Sequence, residues 1–252
     1  MALRIERIPT LGDNYTYLLV CEATGEAAVV DAPEANPVLR RVEQVGARVT
    51  QILSTHHHAD HSAANPELAK RFDAPVFGHA SDTGRLPGLT DGLEEGDTVT
   101  VGRETARVLF IPAHTRGHIA YVFDAAGAVF CGDTLFAAGC GRLSEGTPAM
   151  MFTALHEKLG ALPDSVRVYC GHEYTENNLR FAAHVDPENS TVRAKQTRVR
   201  TLRAGKAADW HAARADEMTI PSTIGEERLT NPFLRARDAA ELGRLRALKD
   251  SF

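Results

Sequence analysis

The chain has 252 residues, 43% of them apolar and 24% charged, with a formal charge of −5. That length fits one large domain or a domain with an appendage, with a core that needs no disulfide staples. The acidic balance argues against a nucleic-acid partner, and no apolar run approaches the ~20 residues of a membrane span.

The charge is unevenly spread. Residues 1–172 carry 14 basic and 21 acidic side chains, and residues 173–252 carry 14 and 12. The four cysteines, Cys21, Cys131, Cys140 and Cys170, form no C-x-x-C pair and read as buried or free thiols of a reducing compartment. The opening MALRIERIPTLGDNYTYLL has no apolar stretch ending in a small-residue cleavage site. A soluble cytoplasmic protein is expected.

The first two-thirds predicts short strands broken by turns: YTYLLVCE, EAAVVDA, ARVTQILST, PVFGH, DTVTV, ARVLFIPA, IAYVFDA, AVFCGD and VRVYCGH. Helices are expected between some of them, at PVLRRVEQVG, NPELAKRF and TPAMMFTALHEKLGAL. In the last, Thr147 is the N-cap and Pro148 the first helical residue. This mixture predicts a layered α/β or α+β sandwich. Beyond residue 172 the pattern becomes helical. TENNLRFAAHV predicts one helix, STVRAKQTRVRTLRAGKAADWHAARADE a long basic one, PSTIGEERLTNPFLR a loop, and DAAELGRLRALKDSF a closing helix. The chain divides into residues 1–172 and 173–252.

The densest chemistry is THHHADH, residues 55–61, delivered by the strand ARVTQILST. In extended chain, residues two apart share a face, so His56 and His58 point together and His57 points away to pack on a neighbouring layer. Asp60 and His61 fall in the turn before the next helix. The spacing H-x-H-x-D-H can furnish two adjacent metal sites, but a zinc-type site needs about four ligands. Other strand ends offer the remainder: His114 in VLFIPAHTRGH, Asp133 in AVFCGDTLF and His172 in VRVYCGHEY. With one carboxylate bridging, these seven residues give each of two metals four protein ligands. Asp31 can hold a ligand histidine or the Thr55 region. Thr115 and His118 lie beside a ligand, and His79, His156, His184 and His211 take surface or core roles.

THHHADH, AHTRGH, CGDTLF and CGHEY resemble the metallo-β-lactamase superfamily. DNYTYLL, FAAGCGRLSEGT, YCGHEYTENNLRFA, PSTIGEERLTNPFLR and RALKDSF further resemble glyoxalase II, the hydroxyacylglutathione hydrolase family. The resemblance covers nearly the whole chain. It implies an αββα sandwich, residues 1–172, with metals at one sheet edge, and a mainly helical glutathione-binding domain, residues 173–252. By the family pattern His56, His58 and His114 hold one metal. Asp60, His61 and His172 hold the other, and Asp133 bridges. Asp60 also orients a metal-bridging hydroxide. The implied reaction converts S-D-lactoylglutathione and water to D-lactate and glutathione, the second step of methylglyoxal detoxification.

Two divalent ions are expected, zinc or alternatively iron or manganese, since imidazole with carboxylate and no thiolate suits all three. By resemblance Arg142 and Tyr174 contact the glutathione backbone, and Arg246 and Lys249 reach its glycine carboxylate. Ser144 stands where some members carry a tyrosine. The other tail cations, Arg193, Lys195, Arg198 and Arg200, are expected on a solvated helix face. The partner is a small glutathione thioester, with no nucleic acid or membrane, and the protein is expected to be a monomer. The alternative is another two-metal hydrolase on the same scaffold, a lactonase or a thioesterase for a different carrier. A persulfide dioxygenase would use one iron and would not need all seven ligands. A phosphodiesterase would want an RNA-gripping insertion. A scaffold without metals would not retain the full ligand set.

Overall fold

A computed structural model of the protein describes residues 2–205 and 209–252. The first half builds a six-stranded sheet from β1 (Leu3–Thr10), β2 (Asn14–Cys21), β3 (Glu26–Val30), β4 (Arg48–Leu53), β5 (Val76–His79) and β6 (Asp91–Leu93), paired in that order. β1 to β3 run antiparallel, and β3 to β6 run parallel. Parallel neighbours require crossovers: α1 (Ala35–Val45) joins β3 to β4, α3 (Asn65–Phe72) lies between β4 and β5, and a 3-10 turn (Ala80–Asp82) with its loop joins β5 to β6. Between β4 and α3 sits the single turn α2 (Ala59–Ser62).

A second sheet has the order β14-β13-β10-β9-β8-β7. Its strands are β7 (Thr98–Val101), β8 (Glu104–Phe110), β9 (Ile119–Phe123), β10 (Ala128–Gly132), β13 (Arg167–Cys170) and β14 (Ser222–Thr223). A small hairpin, β11 (Leu135–Phe136) and β12 (Gly139–Cys140), projects beyond β10. α4 (Pro148–Phe152) leads into a wider helical turn and then β13. Thr147 caps α4 by accepting from Met150 N–H, and Pro148 takes the first turn, as the sequence predicts.

Alternation in β2 and β3 shows how two layers are made from one strand. Tyr17, Leu19, Ala28 and Val30 face the second sheet, where they meet Val108, Tyr121 and Phe130. Leu18, Val20, Ala27 and Val29 face the other way, onto Val38 and Val42 of α1 and Leu68 of α3. Burial on both faces explains why these strands read as unbroken apolar runs. The chain is therefore an α/β sandwich of the expected kind. Its tail carries α5 (Thr175–Val185), α6 (Ser190–Arg203), α7 (Ile224–Thr230) and α8 (Ala239–Asp250).

One strand was not among those expected, and three expectations need correcting. LRIERIPT is a strand; it lies at the sheet edge, where Pro9 costs no ladder hydrogen bond. The long basic helix stops at Arg203, two residues before Gly205. Residues 206–208 of that expectation lie outside the described residues. Trp210–Ala212 and Ala215–Glu217 are single 3-10 turns. The helix gives way because Trp210 is taken by the core, edge-on to Tyr15 with its Nε1–H donated to Asn14 O at 2.9 Å. PSTIGEERLTNPFLR is not a loop: β14 pairs antiparallel with β13, and Thr223 caps α7 by accepting from Glu226 N–H. Finally, Lys195 is not on a solvated face. It is buried, with Nζ 2.9 Å from Glu227 Oε1 and 3.3 Å from Glu226 Oε2.

Candidate metal centre and substrate cavity

β4, β10 and β13 all run parallel to a neighbour, and the loops leaving their C-terminal ends converge. Such strand ends are where open α/β sheets place ligands. β4 delivers His56, His58, Asp60 and His61; β10 delivers Asp133; β13 delivers His172. His114 arrives from the loop after β8. Two glycines allow the close approach. Gly132 has φ +47, and a Cβ there would stand 2.2 Å from Thr55 Oγ1. A Cβ on Gly171 would stand 2.4 Å from both Asp133 Oδ1 and His61 Cε1.

The seven side chains fall into two triads and a link. His56, His58 and His114 offer ligand atoms that all lie within 4.8 Å of one another, and so do Asp60, His61 and His172. Asp133 spans them. Its Oδ2 is 3.6 Å from His114 Nε2 and 3.4 Å from His172 Nε2, and its Oδ1 is 3.3 Å from His61 Nε2. Within the triads, His114 Nε2 is 3.0 Å from His58 Nδ1, and His61 Nε2 is 3.3 Å from His172 Nε2. Ligands about 2.0–2.1 Å from a shared tetrahedral ion stand roughly 3.3 Å apart, so the spacing suits a coordination shell. Two buried atoms, His56 Nε2 and Asp133 Oδ1, have no hydrogen-bond partner among the described residues. An orphaned imidazole nitrogen and carboxylate oxygen at the centre of a donor cluster fit cation binding.

The outward nitrogens are held. His61 Nδ1 lies 3.2 Å from Asp31 Oδ2, His172 Nδ1 lies 2.8 Å from Asp13 Oδ1, and His114 Nδ1 donates to Arg142 O at 3.0 Å. Each bond puts the proton on Nδ1 and turns Nε2 to the centre. Asp31 is also within ligand distance of His56 and His61. Its oxygens are already used, since Thr55 N–H donates to Oδ1 at 2.8 Å and Thr55 Oγ1 to Oδ2 at 2.7 Å. It is therefore a holder, and it serves both functions anticipated for it. His118 Nε2 accepts from Asp133 N–H at 3.1 Å. Thr115 is buried with its hydroxyl unpartnered among the described residues. His57 points away from both triads, as alternation predicts.

Electrostatics follow from this crowding. Burial pushes His56 well below the usual histidine range. For His61, burial opposes charge, yet Asp133 and Asp31 outweigh it and raise the value to about 10. For His172, burial likewise opposes, and Asp133, Asp13 and Asp60 carry it to about 12. The His172 hydrogen bond holds Asp60 well below the ordinary carboxylate range. Three acidic groups thus surround this triad and demand positive charge at its centre.

The cluster floors a cavity of about 400 Å³. Arg142, Tyr174, Arg246 and Lys249, the four residues named for substrate, line its wall together with Phe136, Cys140, Asn177 and Asn178. Tyr174 stacks on His172 with ring centroids 4.5 Å apart. Arg246 is buried rather than solvated. It donates to Cys140 O at 2.8 Å and to Asp250 Oδ1 at 2.9 Å. Lys249 is half-buried over the rings of Phe181 and Phe252 and donates to Asn177 O at 3.2 Å. Ser144 is exposed and does not line the cavity. Sequence reasoning passed over Asp13, Asn177 and Asn178; the DN of DNYTYLL and the NN of TENNL were on view but had no role assigned.

Residues 9–172 match the family model described as the metallo-beta-lactamase superfamily, and residues 173–252 match that described as the hydroxyacylglutathione hydrolase C-terminus. A hydroxyacylglutathione hydrolase of Synechococcus sp. (strain JA-3-3Ab) is 47% identical, covering 99% of this chain and 100% of that protein. One from Rhodospirillum rubrum is also 47% identical, over 94% and 88%. Among solved structures, ETHE1 from Myxococcus xanthus superposes with TM-score 0.72 at 26% identity, covering 98% of this chain and 90% of that one. TTHA1623 in a di-iron-bound form gives 0.63 at 24%, over 90% and 98%, which shows a shared fold.

Proposed function

The chain belongs to the hydroxyacylglutathione hydrolases of the metallo-beta-lactamase superfamily, and from that premise we propose how it works as a thioester hydrolase on S-D-lactoylglutathione and related S-2-hydroxyacylglutathiones. The carrying observation is that five of the seven donors, His58, Asp60, His114, Asp133 and His172, line one cavity with the four substrate candidates. His56, His58 and His114 hold one divalent ion, Asp60, His61 and His172 the other, and Asp133 serves both. The donor set, imidazole and carboxylate without thiolate, supports zinc, iron or manganese. Bound ions of this kind polarise a carbonyl oxygen and lower the pKa of coordinated water from ~15.7 to about 7.

The protein's own groups supply orientation. Asp60 stays ionised and faces the cavity, so its carboxylate would accept a hydrogen bond from the attacking water and aim it at the carbonyl. Asn14 steadies Asp60 by donating to its backbone O at 2.9 Å. Tyr174 and Arg142 hold the peptide backbone of glutathione, and Arg246 and Lys249 take its glycine carboxylate as charge-assisted donors. The departing thiolate is stable in water, so no general acid is required. The family models meet at residues 172 and 173, which supports a catalytic part, 1–172, and a glutathione-binding part, 173–252. A cytoplasmic monomer is the proposed state. Four buried free cysteines fit a reducing compartment, and no described helix is long and apolar enough to cross a membrane.

The test is the rate of S-D-lactoylglutathione hydrolysis, followed by loss of thioester absorbance, beside a lactoyl thioester of another carrier thiol. Fast turnover of the first alone is expected. Equal rates would move the substrate to another thioester, and failure with both would point to a lactone or another ester.

A further inference from the structure

A second charged cluster lies behind the metal donors, and the proposed chemistry leaves it unused: His57, Asp82, Arg85 and Glu145. Asp82 is fully buried, and neither carboxylate oxygen has a hydrogen-bond partner among the described residues. Arg85 Nη1 stands beside it as a counter-charge at 3.4 Å, and the neutral His57 ring brings Nδ1 to 3.8 Å. Arg85 places Nη2 between two further partners. It donates to His57 Nε2 at 2.9 Å and to Glu145 Oε1. Arginine keeps its protons, so His57 Nε2 is the acceptor and the ring proton sits on Nδ1, toward Asp82. The other Glu145 oxygen accepts the backbone N–H of Arg116 at 2.8 Å.

These bonds tie together three segments that meet at the cavity. His57 stands between the donors His56 and His58. Arg116 is two residues past the donor His114. Glu145 is three residues past Arg142, in the same loop. Arg142 has few anchors of its own: its side chain is 78% exposed, its carbonyl accepts from His114, and its Nε lies 3.7 Å from Asp250 Oδ1. Glu145 adds a side-chain tie on its loop, reaching back through Arg85 to the donor loops. Arg85 and Glu145 are each about a quarter exposed, so as an ion pair they add little stability. Their leverage is preorganisation: a loop already held in place need not be ordered when substrate binds, so loosening it weakens binding and leaves the reacting atoms untouched.

We propose that Arg85 and Glu145 are positioning residues, a clasp that fixes the Arg142 loop against the metal-donor loops and so keeps the Arg142 contact in place for glutathione. The proposal rests on the reading of Arg142 as a substrate contact.

The test is a double-mutant cycle on the metal-loaded enzyme with S-D-lactoylglutathione, using Arg142→Ala, Glu145→Ala and the pair. Glu145→Ala is expected to raise KM about tenfold, with kcat within about twofold and metal content unchanged. In the Arg142→Ala background the same change should move KM by less than about twofold, since the group being positioned is gone. Arg85→Gln should reproduce Glu145→Ala. If Glu145→Ala does not fold, Glu145→Gln, which keeps an acceptor for Arg116 N–H, runs the same cycle. An unchanged KM overturns the clasp. So does an effect that persists in full beside Arg142→Ala, or one that comes with lost metal. Wild-type KM in Arg142→Ala alone would sink the substrate reading of Arg142, and the clasp with it.

Discussion

Just beneath the floor of the cavity, His61 is 1% exposed, with Asp31 on one ring nitrogen and Asp133 and His172 crowding the other. At the rim, Tyr174 is 37% exposed, and the half-buried Lys249 lines the cavity wall. The two regions also come from different parts of the chain. Every floor donor lies at or before His172, whereas three of the four rim candidates follow it. Metal donors must present one tautomer at one angle, so five of the seven are buried and His61, His114 and His172 are held from behind, while His58 and Asp60 open partly to the cavity. Groups that capture a diffusing anion must stay charged and reachable, so Arg142, Tyr174 and Lys249 keep part of their surface open, although Arg246 lines the cavity while buried. Losses at the floor should therefore abolish chemistry, and losses at the rim should weaken binding.

Asp133→Ala should break the floor outright. It removes the carboxylate that reaches both triads and leaves His61 and His172 without their largest charge partner. Turnover should fall by at least about 10³-fold and bound metal should fall with it. Metal analysis beside the assay checks this, and normal metal with normal turnover would refute the bridging role. One step out, Asp13→Ala removes the carboxylate behind His172 Nδ1. Metal affinity should drop about 10- to 100-fold, read by competition with a chelator, while the fold survives because Asp13 lies at the surface of a turn. Unchanged affinity would mean that His172 needs no outer support.

These two sites differ in how visible they were in the sequence. Asp133 could be found because GD closes an apolar strand, and strand ends are where donors collect. THHHADH was legible for the same reason, with four of the seven donors given by local spacing alone. Asp13 was not legible, since its partner lies 159 positions away and they meet only when the β1–β2 turn closes on the end of β13. The tail shows the opposite failure. Its basic pattern extended a helix through Trp210, because composition carries no information about an indole wanted by Tyr15 and Asn14. α7 was passed over because seven residues between Pro221 and Pro232 look like loop, although Thr223 and Glu226 already spelled a cap. The burial of Lys195 rests on Glu227, 32 positions on, which also accepts from Ala138 N–H at 2.6 Å. Such long-range pairs have no local signature.

The rim is probed by Lys249→Ala. A charge-assisted contact to a carboxylate is worth about 1.5–3 kcal/mol, so KM for the glutathione thioester should rise about 10- to 100-fold with little change in kcat. Arg246→Ala should behave similarly but with a loss of stability, because that side chain also holds Cys140 O and Asp250 and covers Phe233. Their joint removal should raise KM more than it lowers kcat. A fall in kcat with constant KM would assign the tail cations to the chemistry instead of to capture.

The smallest effect is also the most specific to the rim. Burial, helped by the nearby charges of Arg246 and Arg180, lowers Lys249 from the ordinary lysine range to about 8. Below that value the ammonium is charged and can pair with a carboxylate; above it the proton is lost and so is the pair. A depressed lysine therefore supports binding at low pH and withdraws it as pH rises, so kcat/KM should decline by a few-fold from pH 8 upward. Bound substrate places an anion beside the ammonium and raises its pKa, so kcat measured at saturation should lack this decline. Lys249→Arg, charged throughout the range, should flatten the alkaline limb of kcat/KM while leaving the acidic side unchanged. An alkaline limb that persists in Lys249→Arg would trace the titration to the donor cluster at the floor rather than to the wall above it.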